Sequence, residues 1–451
     1  MALLPPIRRK VFEPLWASTS GSPFVRYWHE VEPVQFLPAD EIAALQWERT
    51  KAILDHAYWR VPFYRERFEA AGVSPGSIQE PADLRALPVL RKADIRENVP
   101  QMIAEGHRRE DLKLFQTGGS TGTALDIYIT EECSERRNAV ARRHDRWTGW
   151  EVGEPRGMLW VDFRKGLKSH VRSWALDSRI HLNTLRFNRE AVEVFASQWA
   201  RVEPTLLTGH AQALFRLAQY VEEFSIDEIR PRGILSTVMT LRPEERQKIE
   251  TVFGAKVIDR YGCEEVSLIG CECEKHEGMH LNTDNLFIEF IAEDGQPAKP
   301  GQPGKIVVTD LHNLAMPFIR YQVEDVGVPT DRVCSCGRGL PLMDGLLGRS
   351  ADFLVRKDGS LIAGISILDK TLLAVPGTKQ MQIVQGELEH FVVRVVPEPE
   401  YFPEGDRLLE AQMRKEFGDE VAIEIEHVDA IAPEKSGKYR FTISKVDNGF
   451  R

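Results

Sequence analysis

From about residue 111 onward, helix-patterned stretches alternate with short β-type runs, and this alternation restricts the chain to layered α/β architectures. The helical periodicity is strongest over 189–202 and 209–224. Between such stretches lie "GMLWVDF", "TLLTG", "GILST" and "KVIDRYG", short apolar runs of strand length. The first 110 residues read mainly as helices. In "PADEIAALQWERTKAILDHAYW", Asp40 after Pro38 marks a start and apolar residues recur at helical spacing. Beyond residue 281 strands dominate, and a second boundary falls near "GRSADFLV". The runs after it predict a β-β-α-β-β unit of about 100 residues, with its helix near 406–417. The expectation is an α/β protein with a large multi-sheet N-terminal domain, residues 1–350, and a small mobile α+β C-terminal domain, residues 351–451.

Within "QTGGSTGTALDIYIT", residues 116–130, glycines and hydroxyl side chains crowd the space before a β-type run. A phosphate loop of the Gly-Lys-Ser/Thr kind is excluded, because Thr123 follows Gly122. Gly118-Gly119-Ser120-Thr121-Gly122 fits the nucleophile-elbow spacing of serine hydrolases, but that motif needs a strand entering a helix. A glycine-rich turn between two strands instead leaves several backbone N–H groups able to face one anion. Taken alone, the loop leaves phosphate binding and an ordinary turn about even.

Four later segments make the chain resemble the adenylate-forming ligases, in the branch that holds phenylacetate–CoA ligase and capsule-biosynthesis proteins. They are "DRYGCEEVSLIG", "MPFIRYQVEDVG", "GRSADFLV" and "APEKSGKYR", the last with Pro433, Gly437 and Lys438 in register. The resemblance implies ATP- and Mg²⁺-dependent activation of a carboxylic acid as its acyl-adenylate, then transfer to a thiol, coenzyme A being the expected acceptor. It implies that Thr117, Gly119, Ser120, Thr121, Gly122 and Thr123 hold the phosphates, and that Glu265 ligates Mg²⁺ with Thr121 or a water. Glu265 rather than its neighbour Glu264 matches the motif. Tyr261 and Gly262 would border adenine, with "ILSTVM", Ser236 and Thr237 through Met239, forming the opposite wall. Asp325 would accept the ribose hydroxyls and Arg349 would reach phosphate or ribose. Lys438 would be the catalytic cation, delivered by a lid that pivots at Asp352. Three departures stand out, Thr123 in place of the usual lysine after Gly122 and two at the hinge, of which the stretch downstream of the hinge bears on the acceptor step. Ala351 replaces the first hinge aspartate, and "VRKDGSLIAGISILD" differs from the corresponding stretch of the phenylacetate enzymes.

Four of the six cysteines form two Cys-x-Cys pairs, Cys271/Cys273 and Cys334/Cys336. Side chains two apart on an extended chain share a face, so the pairs together predict a structural Zn²⁺ site. His276 is the expected further ligand, and His280 is an alternative.

A net charge of −10 argues against a general nucleic-acid surface. No run of about 18 apolar residues appears, so no membrane helix is expected. The N-terminal "MALLPPIRRKVFEPLW" lacks an apolar stretch after its basic residues, so no secretory signal is expected and the cytoplasm is the expected compartment. The substrate is expected to be a small carboxylic acid, with Trp160, His210 and Phe215 in the acyl region admitting an aromatic one. A homodimer and a carrier-protein partner are both compatible with the sequence. The rival readings are an adenylating enzyme with an amine, carrier-protein or sugar acceptor, a serine hydrolase using Ser120, and a non-catalytic nucleotide binder.

Overall fold

The structure is a computed structural model that describes residues 5–117, 125–160, 178–349, 353–363, 367, 375, 377–398, 401–402, 404–432, 440 and 442–446. After the N-terminal helices the first strands form a hairpin. Strand β1 (Lys113–Gln116) pairs antiparallel with β2 (Asp126–Ile129), so the glycine-hydroxyl loop joins two strands. Eleven further strands form one sheet: β3 (Arg156–Leu159), β4 (Arg179–Leu182), β5 (Leu206–His210), β6 (Gly233–Thr237), β7 (Val257–Cys263), β8 (Ser267–Glu272), β9 (Met279–Leu281), β10 (Leu286–Ile291), β11 (Gly304–Asp310), β12 (Tyr321–Pro329) and β13 (Leu342–Arg349). Their spatial order is β10-β11-β12-β13-β9-β8-β7-β6-β5-β3-β4. From β4 to β7 the neighbours are parallel, and from β7 to β10 they are antiparallel.

The two halves follow from different sequence textures. Parallel strands are covered on both faces, so all five residues of "GILST" in β6 are buried. The helix Arg189–Val202 starts where the Asn188 side chain accepts the Ala191 N–H at 2.9 Å. Its residues Val192, Phe195, Ala196 and Trp199 fall on one stripe and pack with Leu207 and Ile234 of the sheet. Burying a side chain such as Val192 or Phe195 contributes about 1.5–3 kcal/mol. A second core joins Ile53, Phe68, Leu90 and Ile95 of the N-terminal helical region to Ile127, Tyr261, Val266 and Tyr321. That core seats the β1–β2 hairpin and the helical region against the antiparallel half.

Helix Glu131–Trp147 leaves β2 directly, capped by Thr130 Oγ1, which accepts the Cys133 N–H. It buries Arg136 and Arg143 as well as apolar residues. Arg143 binds both oxygens of Asp284 at 2.9 and 3.0 Å, with both side chains fully buried. A buried charge needs such a partner, and removing either one would strand the other.

After β13 come β14 (Phe353–Val355), β15 (Leu361–Ala363), β16 (Thr378–Glu387), β17 (His390–Pro397), the helix Gly405–Phe417, β18 (Ala422–His427) and β19 (Thr442–Ser444). The last four strands form a sheet ordered β18-β17-β16-β19, matching the expected β-β-α-β-β sequence of elements. Among the described residues its core, with Ile383, Phe391, Val393, Leu409 and Met413, begins at Leu354.

Candidate functional site

The β7–β8 hairpin is tight at Gly262, where the register shifts between Tyr261 and Gly262. A Cβ at Gly262 would lie 2.5 Å from the Ser267 carbonyl oxygen, so only glycine lets the strands close. This geometry turns Glu265 inward to 5% exposure, while Glu264 stays exposed. One oxygen of Glu265 accepts the Tyr321 hydroxyl at 2.8 Å, and its backbone carbonyl accepts Arg137 Nη2 at 2.9 Å. Lys92 Nζ lies 3.8 Å from the same carboxylate. Burial, followed by the nearby Glu265 charge, pushes the Tyr321 hydroxyl well above the usual phenol range. Tyr321 therefore stays a proton donor to the carboxylate.

Tyr261 and Asp325, expected at the adenine and ribose ends of one nucleotide, meet directly. The tyrosine hydroxyl donates to Asp325 Oδ2 at 2.6 Å. Burial, then the Asp325 charge, holds that phenol protonated. The ring of Tyr261 is 8% exposed and belongs to the apolar core. Asp325 and Arg349 face each other as register partners of β12 and β13. Of Arg349 the backbone is described.

At the carboxyl end of β6 the expected wall is re-sorted. Ser236 is fully buried, and the Thr237 hydroxyl donates to the Arg260 carbonyl at 3.1 Å. The accessible residue is Val238, which has φ +75° and whose flanking groups, Met239 N–H and Thr237 C=O, bond at 2.9 Å. That is the rare positive-φ γ-turn, a strained conformation for a β-branched residue costing about 1–3 kcal/mol. Strain at the carboxyl end of a parallel strand marks the crevice where open α/β sheets bind ligands. The ends of β3 and β5 supply Trp160 and His210, whose rings sit 6.4 Å apart at 67°. Phe215 instead packs against the core under the helix Ala211–Glu223.

Thr117 closes the base of the hairpin loop, its hydroxyl accepting the Leu125 N–H at 3.0 Å. Gly119, Ser120, Thr121, Gly122, Thr123, Asp352 and Lys438 lie outside the described residues.

The cysteine pairs converge in part: Cys271 and His276 drop out of the expected set and His280 enters it. Cys273, His280, Cys334 and Cys336 bring one donor atom each within 4.8 Å of the others. Cys271 and His276 stay out of this group. The shared-face argument breaks because β8 ends at Glu272, so Cys273 leaves the pleat while Cys271 stays in the core opposite His280. His276 takes φ +54° and turns its ring to Glu272 and Arg246, with Nδ1 3.5 Å from Glu272. His280 Nδ1 donates to the Leu340 carbonyl at 3.1 Å, which leaves the Nε2 lone pair facing Cys336 Sγ at 3.3 Å. Burial lowers the His280 imidazole to about 4, so it is neutral and ready to ligate. The N–H groups of Lys275 and Arg338 point at Cys273 and Cys336 sulfur, both at 3.4 Å. Four soft donors with oriented second partners fit a tetrahedral Zn²⁺.

The chain is similar to known proteins in sequence and in fold. Residues 354–445 match the family described as CapK C-terminal domain. The phenylacetate-coenzyme A ligase of Thermus thermophilus is 28% identical over 418 residues, covering 84% of this chain and 88% of that protein. The phenylacetate-coenzyme A ligase of Escherichia coli is 27% identical over 355 residues, so this chain is similar to such ligases along most of its length. CapK of Staphylococcus aureus is 21% identical, with 97% of each chain covered. The crystal structure of 2-hydroxyisobutyryl-CoA ligase in its postadenylation state with R3-HIB-AMP superposes with a TM-score of 0.72. It covers 92% of this chain and 91% of that one at 20% identity, a likeness of fold.

The described residues on either side of the glycine-hydroxyl loop are the antiparallel strands β1 and β2, whereas a nucleophile elbow needs a strand entering a helix. Sequence reasoning missed Lys92, Arg137 and Tyr321. Tyr321 was within reach, because it stands in the quoted "RYQVEDVG" beside Asp325. Lys92 and Arg137 reach Glu265 from 173 and 128 positions away, and no local pattern carries that.

Proposed function

We propose that this protein is an AMP-forming acid–thiol ligase. In the first half-reaction an oxygen of a small carboxylic acid attacks the α-phosphorus of ATP and pyrophosphate leaves. In the second, a thiol sulfur, that of coenzyme A, attacks the acyl carbon and AMP leaves. The observation that carries this reading is the buried Glu265, turned inward and hydrogen-bonded, beside the Tyr261–Asp325 pair. Its support from kinship is a set of phenylacetate-coenzyme A ligases at 25–28% identity.

In this reading Glu265 would hold Mg²⁺, a hard cation suited to a carboxylate that keeps open lone pairs, and the metal would offset phosphate charge. Asp325 accepts a ribose hydroxyl beside the Tyr261 hydroxyl that it already accepts. Thr117 anchors the loop through Thr123 that faces the phosphates. Residues 1–350 and 351–451 act as two domains about Asp352, and the smaller one delivers Lys438. An aromatic acid suits the Trp160–His210 pair. Zn²⁺ held by Cys273, His280, Cys334 and Cys336 is structural, because four protein ligands leave no open position. Thiols kept reduced imply the cytoplasm. Among the described residues no helix is long and apolar enough to cross a membrane.

Replacing Lys438 with alanine tests the catalytic assignment. ATP–pyrophosphate exchange should fall by about 10²–10³-fold, the cost of removing one preorganised group from developing charge. Nucleotide affinity should change little. An exchange rate equal to that of the wild type would contradict the role given to Lys438.

A further inference from the structure

Lys92 opens the helix Lys92–Met102, a position where its charge opposes the positive end of the helix dipole. Helix stability therefore does not account for a lysine there. The segment before it is fixed to the main sheet. Leu90, fully buried, bridges to Tyr321: its N–H donates to the Arg320 carbonyl at 2.8 Å and its carbonyl accepts the Gln322 N–H at 3.0 Å. Two residues on, Lys92 Nζ reaches Glu324 at 2.6 Å and Glu265 at 3.8 Å. Glu324 itself is held at φ +69°, a conformation unfavourable for a non-glycine residue, immediately before Asp325. The Lys92 side chain is 20% exposed, so the charge is partly withdrawn from water.

A cation thus sits between two carboxylates, one of them the residue read above as the metal ligand. The chain also has Thr123 where a lysine would follow the glycine of the phosphate loop in a nucleotide-binding motif. We propose that Lys92 is the resident counter-cation of Glu265. As a positioning residue it holds that carboxylate before the metal arrives. It then remains, paired with Glu324, as a second positive charge beside the polyphosphate. The inference rests on Glu265 as the metal ligand.

Electrostatics gives this role a signature that a scaffold residue lacks. Removing the charge makes the site more negative, so a free divalent cation binds better while a polyanion binds worse. A residue that only supports packing would weaken both. The test is calorimetric titration of ATP into wild-type, Lys92→Met and Lys92→Arg proteins, in EDTA and across a Mg²⁺ series. For Lys92→Met the ATP dissociation constant in EDTA should rise by about tenfold, and the Mg²⁺ concentration giving half of the metal-dependent gain in affinity should fall by about threefold. Lys92→Arg keeps the charge and should stay near wild type in both. Unchanged constants in Lys92→Met, or a parallel worsening of both with a lowered melting temperature, would overturn the proposal. Failure of the wild-type protein to bind ATP at all would overturn the ligase reading itself. Normal wild-type binding with unmoved variant constants would remove Lys92 alone.

Discussion

Glu265→Gln should lower ATP–pyrophosphate exchange by about 10²–10³-fold while leaving the fold intact. The reasoning separates the two jobs of this side chain. As an acceptor for the Tyr321 hydroxyl at 2.8 Å, a glutamine carbonyl serves nearly as well. As a ligand for Mg²⁺ it does not, since the amide carries no charge with which to hold a hard cation that dehydrates reluctantly. The loss should ease as Mg²⁺ is raised and should persist when ATP is raised at fixed Mg²⁺. The neighbouring Glu264→Gln, on an exposed side chain, should leave exchange within about twofold, because surface changes seldom alter a preorganised site. Equal effects at the two positions would contradict the assignment of Glu265.

The second large effect concerns the Cys273–His280–Cys334–Cys336 group. Burial pushes the Cys334 thiol above its ordinary range when no cation is near, and a divalent metal reverses that by binding the thiolate. Mass spectrometry under native conditions should find one zinc per chain in the wild-type protein. Cys334→Ser and His280→Ala should lose it, with a destabilisation of about 4 kcal/mol or more, the range reached when a structural metal is removed. His276→Ala should keep the metal, because that ring faces Glu272 and Arg246. A zinc-free wild-type protein would end this assignment, and retention by His280→Ala together with loss by His276→Ala would reverse the ligand choice.

How much of this could be read in the chain depended on whether the signal was local. The helix Arg189–Val202 and the strands at "GILST" and "KVIDRYG" lie where periodicity predicts them, because a single stripe or a doubly covered strand writes itself into consecutive residues. The helix Glu131–Trp147 was not singled out. It buries Arg136 and Arg143 beside acidic and amide partners, and a pattern that counts arginine as surface hides its inner face. Glu265 was legible through its motif. The exclusion of Cys271 and His276 was not, since it turns on where β8 stops and on the left-handed conformation of His276 itself, three positions after Cys273. Ser236 and Thr237 were expected to face the ligand. The strained turn at Val238 shows why a run of named residues at a strand end need not all point the same way. Lys92 depended on a sheet bridge between Leu90 and Tyr321 that no reading of either neighbourhood contains.

The measurement closest to the central claim is exchange of radiolabelled pyrophosphate into ATP by the wild-type protein, across a panel of aryl, fatty and amino acids with Mg²⁺ present. The account predicts acid-dependent exchange with at least one class, abolished by EDTA and followed by AMP release when coenzyme A is added. ATP that binds tightly while no acid on the panel supports exchange would contradict it, leaving a nucleotide-binding protein without the chemistry.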